Sequence, residues 1–150
     1  MRNLILILAL QIIVFMGCTS SGDKEQKAAV QGSIHNHAFC YYYQENGDTI
    51  ILHLHVNGEK ASGDLLYHLH QKDKNSGAIE GRMAGDTLFA DYTFSSEGIL
   101  SVREVIFLRQ GDTFIEGFGE VEDHLGKMVF KNKKAIEFDG KMIFKKGDCN

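Results

Sequence analysis

One arginine of this chain falls among apolar residues, where its charge needs a partner. The stretch GDTLFADYTFSSEGILSVREV alternates apolar and polar residues, which predicts a β-hairpin with a loop at 95–98. With that loop, Arg103 lies opposite Ala90 and on the same face as Tyr92 and Ser101. This face is the more apolar of the two, so we predict that it points into the protein. A buried guanidinium must be paired or hydrogen-bonded, because an unpaired buried charge is costly.

The sequence leaves three environments open for Arg103. A turn near residue 111 places Val105 opposite Glu116, which brings the Glu116 carboxylate beside the guanidinium. Alternatively, Arg103 binds the carboxylate or phosphate of an external amphipathic ligand, with Tyr92 and Ser101 nearby. In the third case the face is inverted and Arg103 is solvated. The candidate ligand-binding residues are therefore Arg103, Tyr92, Ser101 and Glu116.

No motif in the chain indicates catalysis or a metal centre. The nucleophile patterns G-x-S-x-G and S-x-x-K are absent, and so is the zinc motif H-E-x-x-H. Two histidine pairs, His53 with His55 and His68 with His70, lie on predicted strands. Neither pair adjoins a cysteine or an acid at zinc-ligand spacing. We interpret them as solvated side chains and predict no catalytic residue, no metal and no cofactor.

The elements that position these residues are predicted to be strands. The chain has no proline, so its turns must be made by glycine, asparagine, aspartate and serine, which recur between short apolar or alternating runs. The predicted strands are 38–44, 49–56, 63–70, 77–83, 87–95, 99–109, 113–119, 127–131 and 141–145. A meander of this length tends to close, because closure removes exposed edges. We predict an all-β fold, an antiparallel and roughly eight-stranded up-and-down (calycin-like) barrel.

The N-terminal residues predict export and a lipid anchor. Arg2 precedes an apolar run at 4–16, which is shorter than the roughly 20 residues that span a bilayer and fits a signal peptide. The run ends in Phe-Met-Gly-Cys, which resembles a bacterial lipobox with Cys18 as the acylated residue. We predict a lipoprotein signal peptide at 1–17, a polar tether at 18–32 and one barrel domain at 33–150.

The mature chain is predicted to be acidic and disulfide-bonded. Removal of residues 1–17 takes away Arg2 and no acid, which changes the formal charge from −4 to −5. This balance gives no electrostatic reason to bind nucleic acid. Two cysteines remain, Cys40 and Cys149, and in an oxidising compartment such a pair predicts a disulfide. The alternative is a buried Cys40 thiol and a free Cys149.

Short segments spread over nearly all the mature chain carry a family resemblance: FCYYY at 39–43, SGDLLY at 62–67, ADYTFSSEG at 90–98, SVREV at 101–105, EGFGE at 116–120, KMVFKN at 127–132 and the terminal Asp148 and Cys149. In these the chain resembles small lipoproteins of Bacteroidota-type bacteria. The resemblance implies an exported lipoprotein of the cell envelope, in the outer membrane, and it supplies no catalytic residues. More distantly, an anchored barrel with cysteines near both ends is similar to periplasmic lysozyme inhibitors of the membrane-bound type.

These features predict a non-catalytic, lipid-anchored envelope protein whose barrel binds a small amphipathic or anionic ligand. The alternative is a module that binds or inhibits an envelope protein through its exposed turns. Its expected partners are the membrane, through the anchor, and that ligand or protein, but not nucleic acid.

Overall fold

A computed structural model describes residues 37–149 of the 150-residue chain. The predicted signal peptide, Cys18 and the predicted tether lie outside these residues. Ten strands follow one another, with a single 3₁₀ turn (Lys133–Ala135) before the last: β1 (His37–Glu45), β2 (Asp48–Asn57), β3 (Lys60–His68), β4 (Asn75–Ala84), β5 (Thr87–Ser96), β6 (Ile99–Gln110), β7 (Thr113–Glu116), β8 (Val121–His124), β9 (Lys127–Phe130) and β10 (Ile143–Gly147). Over residues 37–149, no helix is both long and apolar enough to cross a membrane.

Eight of the strands close into an antiparallel barrel. Strands β1 to β7 pair with their neighbours in chain order, and β10 fills the remaining gap between β7 and β1. The predicted all-β fold and eight-stranded barrel are therefore confirmed. The meander is interrupted only between β7 and β10, so the eighth strand of the barrel comes from the end of the chain.

The segment between β7 and β10 forms a small hairpin outside the barrel. The sequence predicted a strand at 113–119, but β7 ends at Glu116. A Cβ atom at Gly117 would lie 2.5 Å from the Ile136 side chain, so the chain turns away here through a space that only glycine fits. Strands β8 and β9 then pair, and β9 runs parallel to β6 beside Arg103. The sequence did not predict β8, since its four residues are all exposed and show no alternation.

The interior of the barrel is filled at mid-height by large side chains. The ring of Phe107 packs edge-on against those of Phe144 and Phe114, with centroids 5.3 Å and 6.3 Å away. These rings are fully buried together with Tyr92 and several leucine and isoleucine side chains. The barrel therefore has no open channel along its axis, and any ligand space must lie at an end.

Inward-facing glycines let neighbouring strands approach closely. A Cβ atom at Gly77 would lie 1.9 Å from the Thr93 carbonyl oxygen, and one at Gly81 would lie 2.0 Å from that of Phe89. Any side chain would separate β4 from β5 at these points. We attribute the tight curvature of this side of the barrel to these two residues.

Two tight turns correct the predicted registers. The loop between β5 and β6 is only Glu97–Gly98, both with positive φ (50° and 79°), as in the hairpin turns that match strand twist. The predicted loop at 95–98 was therefore wrong, and Arg103 lies opposite Tyr92 rather than Ala90. The two-residue turn after β6 likewise places Glu116 opposite Phe107, not Val105.

The predicted disulfide joins Cys40 on β1 to Cys149 at the end of the chain. Their Cα atoms are 5.3 Å apart, within the usual range for a disulfide. Beside it, the Tyr42 hydroxyl donates a hydrogen bond of 2.6 Å to the Asp148 carbonyl oxygen. These contacts tie the C-terminus to the first strand.

Candidate functional site: a cleft at the Arg103 end of the barrel

The two ends of the barrel are named here after the arginine at each. The Arg103 end carries the β1–β2 and β5–β6 turns and the connection from β3 to β4. The Arg109 end carries the β2–β3, β4–β5 and β6–β7 turns, and β1 begins there. A cleft of about 530 Å³ opens at the Arg103 end. Its walls include the apolar residues Leu69, Phe118 and Met142, and its polar lining includes Tyr67, Arg103 and Glu116.

Arg103 points inward, as predicted, and its guanidinium lies over three aromatic rings. The carbon at its centre is 4.9 Å from the Tyr67 ring centroid, 5.5 Å from that of Tyr92 and 5.7 Å from that of Phe94. Tyr92 and Phe94 stack on each other at 4.7 Å. Cation–π attraction of this kind stabilises a charge that has lost part of its hydration. The rings hold the guanidinium at the cleft but give its buried Nε no hydrogen-bond partner.

Glu116 is the buried acid of the site, with 6% of its surface exposed. Its Oε1 accepts a hydrogen bond of 2.7 Å from the Tyr67 hydroxyl. Burial raises the pKa of Glu116, and this outweighs the Tyr67 hydrogen bond and the Arg103 charge, which both lower it. The backbone N–H of Glu116 donates to the Met142 carbonyl oxygen, so the residue is fixed between β6 and β10.

Arg103 and Glu116 are neighbours that do not form an ion pair. The ion pairs of the described residues do not include this one. Both Arg103 Nε and Glu116 Oε2 are buried without a hydrogen-bond partner. The internal Arg103–Glu116 pair that the sequence left open is therefore not made directly.

Unpartnered polar atoms concentrate at this cleft. Among the described residues, four buried side-chain atoms have no protein partner: Asn75 Oδ1, Tyr92 OH, Arg103 Nε and Glu116 Oε2. Three of these residues line the cleft, and the Tyr92 ring lies 5.8 Å from that of Tyr67, which also lines it. Folded proteins satisfy nearly all buried polar atoms, so three unpartnered atoms among the residues that line one opening indicate groups that water or a ligand must complete.

The two tyrosines of the site remain protonated across the physiological range. Burial, followed by the nearby Glu116 charge, raises the pKa of Tyr67 well above its usual value, although Arg103 opposes the shift. Burial raises the pKa of Tyr92 to about 12, again against the charge of Arg103. Both hydroxyls are therefore hydrogen-bond donors at neutral pH.

The structure brings together most of the predicted site residues and adds others. Arg103, Tyr92 and Glu116 meet, whereas Ser101 lies opposite Phe94 and does not line the cleft. Sequence reasoning missed Tyr67. The only available signal was the alternation of β3, which turns Leu65 and Tyr67 to one face. That pattern indicates burial but not which residues lie across the barrel.

The two histidine pairs lie on β2 and at the end of β3. His55, His68 and His70 are exposed and His53 is half-buried. His53 lies opposite Asp64 on β3, without a third ligand. Between residues 37 and 149, no group of three or more histidine, cysteine or acidic side chains could hold a metal ion.

The second arginine near a barrel end has a different environment. Arg109 borders a smaller cavity of about 260 Å³ that is lined mainly by apolar side chains. Its Nη2 and Nε atoms bond Asp86 Oδ1 at 2.7 Å and 3.1 Å. Arg109 therefore already has the carboxylate partner that Arg103 lacks.

Comparison with known proteins adds no relative at a significant level. No family model, no curated protein and no solved structure matches this chain. The lipoprotein resemblance therefore stays a prediction, and the cleft is the feature of the described residues that bears on function.

Proposed function

We propose that this protein is a lipid-anchored component of the bacterial cell envelope that binds a small amphipathic or anionic ligand at the Arg103 end, without catalysis. The observation that carries the proposal is that three buried polar atoms without a partner, Asn75 Oδ1, Arg103 Nε and Glu116 Oε2, belong to residues that line one open cleft. The apolar residues Leu69, Phe118 and Met142 suit the apolar part of such a ligand. Arg103 suits its anionic group, because a guanidinium pairs with carboxylate or phosphate through several N–H donors.

Native mass spectrometry of the chain from residue 19 onward tests the binding proposal. This chain contains every strand found in residues 37–149, and these residues lie in one compact unit. We expect a bound small molecule that is lost in Arg103→Met and kept in Arg109→Met, the matched change at the other end. Methionine keeps most of the aliphatic stem, and intact disulfide mapping would show that both variants fold. A ligand-free protein, or a ligand lost equally in both variants, would count against the proposal.

Membrane anchoring is tested separately at Cys18. Mass analysis of the mature protein is expected to find acyl chains on Cys18, and Cys18→Ala should release the protein from the membrane fraction. More than one acyl chain is needed for stable anchoring, since a single chain binds only marginally. Retention of Cys18→Ala in the membrane would refute the anchor.

A protein-binding role is the second candidate, and exposed apolar residues favour it. Leu125, in the β8–β9 turn, is 94% exposed, and Ile99 and Leu100 are also largely exposed. Because β9 runs beside the start of β6, these residues lie at neighbouring turns. A photo-crosslinker at Leu125 in living cells, with one at Asp86 as the control, tests this role. One discrete protein adduct specific to Leu125 would support it, and its absence would disfavour it.

A further inference from the structure

The two oxygens of the Glu116 carboxyl group have different environments. Oε1 accepts the Tyr67 hydroxyl at 2.7 Å, whereas Oε2 is buried and has no partner. An ionised Oε2 without a donor is costly in a buried position. A protonated Oε2, by contrast, becomes a hydrogen-bond donor on a residue that lines the cleft. The geometry thus offers a place for a proton next to the guanidinium.

The charged and titratable groups around Glu116 come from several elements. Burial raises the pKa of Glu116, whereas Tyr67 on β3 and Arg103 on β6 lower it. The Glu116 charge in turn adds to burial in raising the pKa of Tyr67 and that of Tyr92 on β5. Lys72 and Asp73, in the connection between β3 and β4, line the same cleft. The Glu116 backbone N–H donates a hydrogen bond to the carbonyl oxygen of Met142, which lies just before β10. Of these groups, Arg103 is the cation that favours the ionised form, and burial outweighs it.

We propose that the ligand is a carboxylate with an apolar substituent, and that it binds together with one proton, which Glu116 Oε2 shares with the ligand carboxylate. This inference rests on the proposed function and specifies the ligand class of the same cleft. The proton comes from solvent, and no bond between heavy atoms forms or breaks. The protein supplies one positive charge and two kinds of donor: the Arg103 N–H groups and the Glu116 O–H.

The net charge of the cleft favours a monovalent carboxylate over a phosphate as the ligand. With Glu116 protonated, the charged residues that line the cleft are Arg103, Lys72 and Asp73. The last two are opposite in sign, which leaves a net charge of one that one carboxylate neutralises. A phosphate dianion would leave a negative charge uncompensated beside the buried Glu116, and such a charge is expensive. Loss of the proton from Glu116 would place two carboxylates side by side, which is unfavourable for the same reason.

Isothermal titration calorimetry with octanoate tests this inference on the chain from residue 19 onward. Titrations between pH 5.5 and 8, in buffers of different ionisation enthalpy, report both the affinity and the protons taken up. We expect uptake approaching one proton per octanoate in the upper part of this range. The affinity should then fall by up to about tenfold per pH unit, as one-proton linkage requires.

Substitutions assign the proton to Glu116. Glu116→Gln, a neutral side chain that keeps an oxygen for Tyr67, should bind octanoate with little pH dependence and without proton uptake. Glu120→Gln, an exposed acid paired with Lys131, should keep the wild-type pH profile. Arg103→Met should lose octanoate binding at every pH.

Other outcomes separate this inference from the function beneath it. Octanoate binding at Arg103 without proton uptake, or tighter binding of neutral octanamide, would overturn the proton-sharing carboxylate and leave a ligand site in place. Absence of octanoate binding would also overturn it, while the native mass spectra decide independently whether the cleft holds any ligand. An empty cleft in those spectra would refute the proposed function itself.

Discussion

At the scale of single residues, the arginines at the two ends of the barrel differ in their hydrogen-bond partners. Arg109 bonds Asp86 through two nitrogens, whereas Arg103 lies over aromatic rings beside a carboxyl group that it does not bond. Aromatic rings stabilise a cation but accept few hydrogen bonds, so Arg103 keeps donors for another molecule.

The Tyr67 hydroxyl is expected to stabilise the protein through Glu116. Tyr67→Phe leaves Glu116 Oε1 without its 2.7 Å hydrogen bond in a buried position, which should lower the free energy of unfolding by about 1–3 kcal/mol. Tyr43→Phe is the matched control, because its hydroxyl makes an exposed bond to Glu45. Urea denaturation should find the control within about 0.5 kcal/mol of wild type.

The cost of Tyr67→Phe should grow as the pH rises. The folded pKa of Glu116 is raised, so the folded state holds this proton more tightly than the unfolded chain, and its contribution to stability falls as the pH increases above the usual glutamate value. The Tyr67 hydrogen bond favours the ionised form of Glu116. Its removal therefore raises the folded pKa of Glu116 further and makes the loss of stability between pH 4 and pH 8 larger. An equal loss of stability at pH 4 and pH 8 would contradict this account of Glu116.

Residue types and alternation predicted part of the site but not its composition. The period of two placed Arg103 and Tyr92 on one inward face, and the structure agrees. It also placed Ser101 there, which faces inward yet does not line the cleft. Tyr67 and Asn75 could not be assigned, because they reach the cleft from across the closed barrel. Their distance from Arg103 depends on closure geometry that alternation does not encode.

At the scale of elements, Glu104 is one of the residues that hold the β8–β9 hairpin against the barrel, together with the pairing of β9 with β6. Glu104 on β6 accepts the Phe130 backbone N–H at 3.0 Å and the Lys133 ammonium at 2.7 Å. Burial alone raises the pKa of Glu104, but these hydrogen bonds and the charges of Lys133 and Lys127 outweigh it and lower the pKa. Glu104 therefore adds charged contacts to the pairing of β9 with β6 and to the packing of Ile136 against Gly117.

Glu104→Gln should loosen this hairpin and change its response to acid. The lowered pKa means that the Glu104 contribution is present above the usual glutamate value and is lost as the pH falls, so the substitution should cost about 1 kcal/mol at pH 7 and less at pH 4. Faster hydrogen exchange of the Phe130 amide would report the loosening directly. Glu120→Gln, whose pair with Lys131 is exposed, should change neither quantity. An unchanged rate of hydrogen exchange of the Phe130 amide in Glu104→Gln would show that Glu104 does not hold the hairpin.

The contact between β4 and β5 should tolerate no side chain at Gly77. In Gly77→Ala the new methyl group would meet the Thr93 carbonyl oxygen, so the strands must separate, at a cost of about 1–3 kcal/mol. Ser76→Ala, on the exposed face of the same strand, is the control. Thermal unfolding should separate the two variants, and equal midpoints would show that the barrel can relax here.

The existence of each barrel strand was predictable, whereas β8 and the registers were not. Glycine marked the two-residue hairpin turns of the barrel, since glycine accepts positive φ, but the longer connection from β3 to β4 contains no glycine and has its positive φ at Gln71. The exact turn length was ambiguous at Ser95–Ser96, because serine is common in loops as well as at strand ends. Glu97 then adopts a positive φ that is uncommon for glutamate, which moved the register by two residues.

At the scale of the whole molecule, the barrel is closed by the last strand of the chain. The position of β10 depends on the path of the chain through β8 and β9. The sequence did not predict β8, since Val121–His124 shows no buried face. Closure through β10 links residues more than 100 positions apart, so it is unfavourable in chain entropy. The Cys40–Cys149 disulfide offsets this cost by joining the same two regions.

Removal of the disulfide should weaken the barrel without emptying the cleft. The double variant Cys40→Ala and Cys149→Ala should lose about 2–4 kcal/mol of unfolding free energy, the usual range for a disulfide that closes a long loop. Ligand binding at the Arg103 end should persist at low denaturant concentration, because neither cysteine lines that cleft. Guanidinium denaturation with and without reductant measures the loss. A stability equal to wild type would show that β10 pairing alone closes the barrel.

The position of the cleft relative to the predicted anchor leads to the last prediction. Strand β1 begins at the Arg109 end, so the predicted tether joins the barrel there, while the cleft opens at the opposite end, roughly 25 Å away for tilted strands of this length. Deleting residues 22–31 from the lipid-anchored protein should therefore leave octanoate affinity within about twofold of the full tether, since a shorter tether would draw the Arg109 end toward the lipid. Titration on vesicles, with the same deletion in soluble Cys18→Ala protein as the control, measures this. A large loss of affinity confined to the anchored form would mean that the cleft faces the membrane.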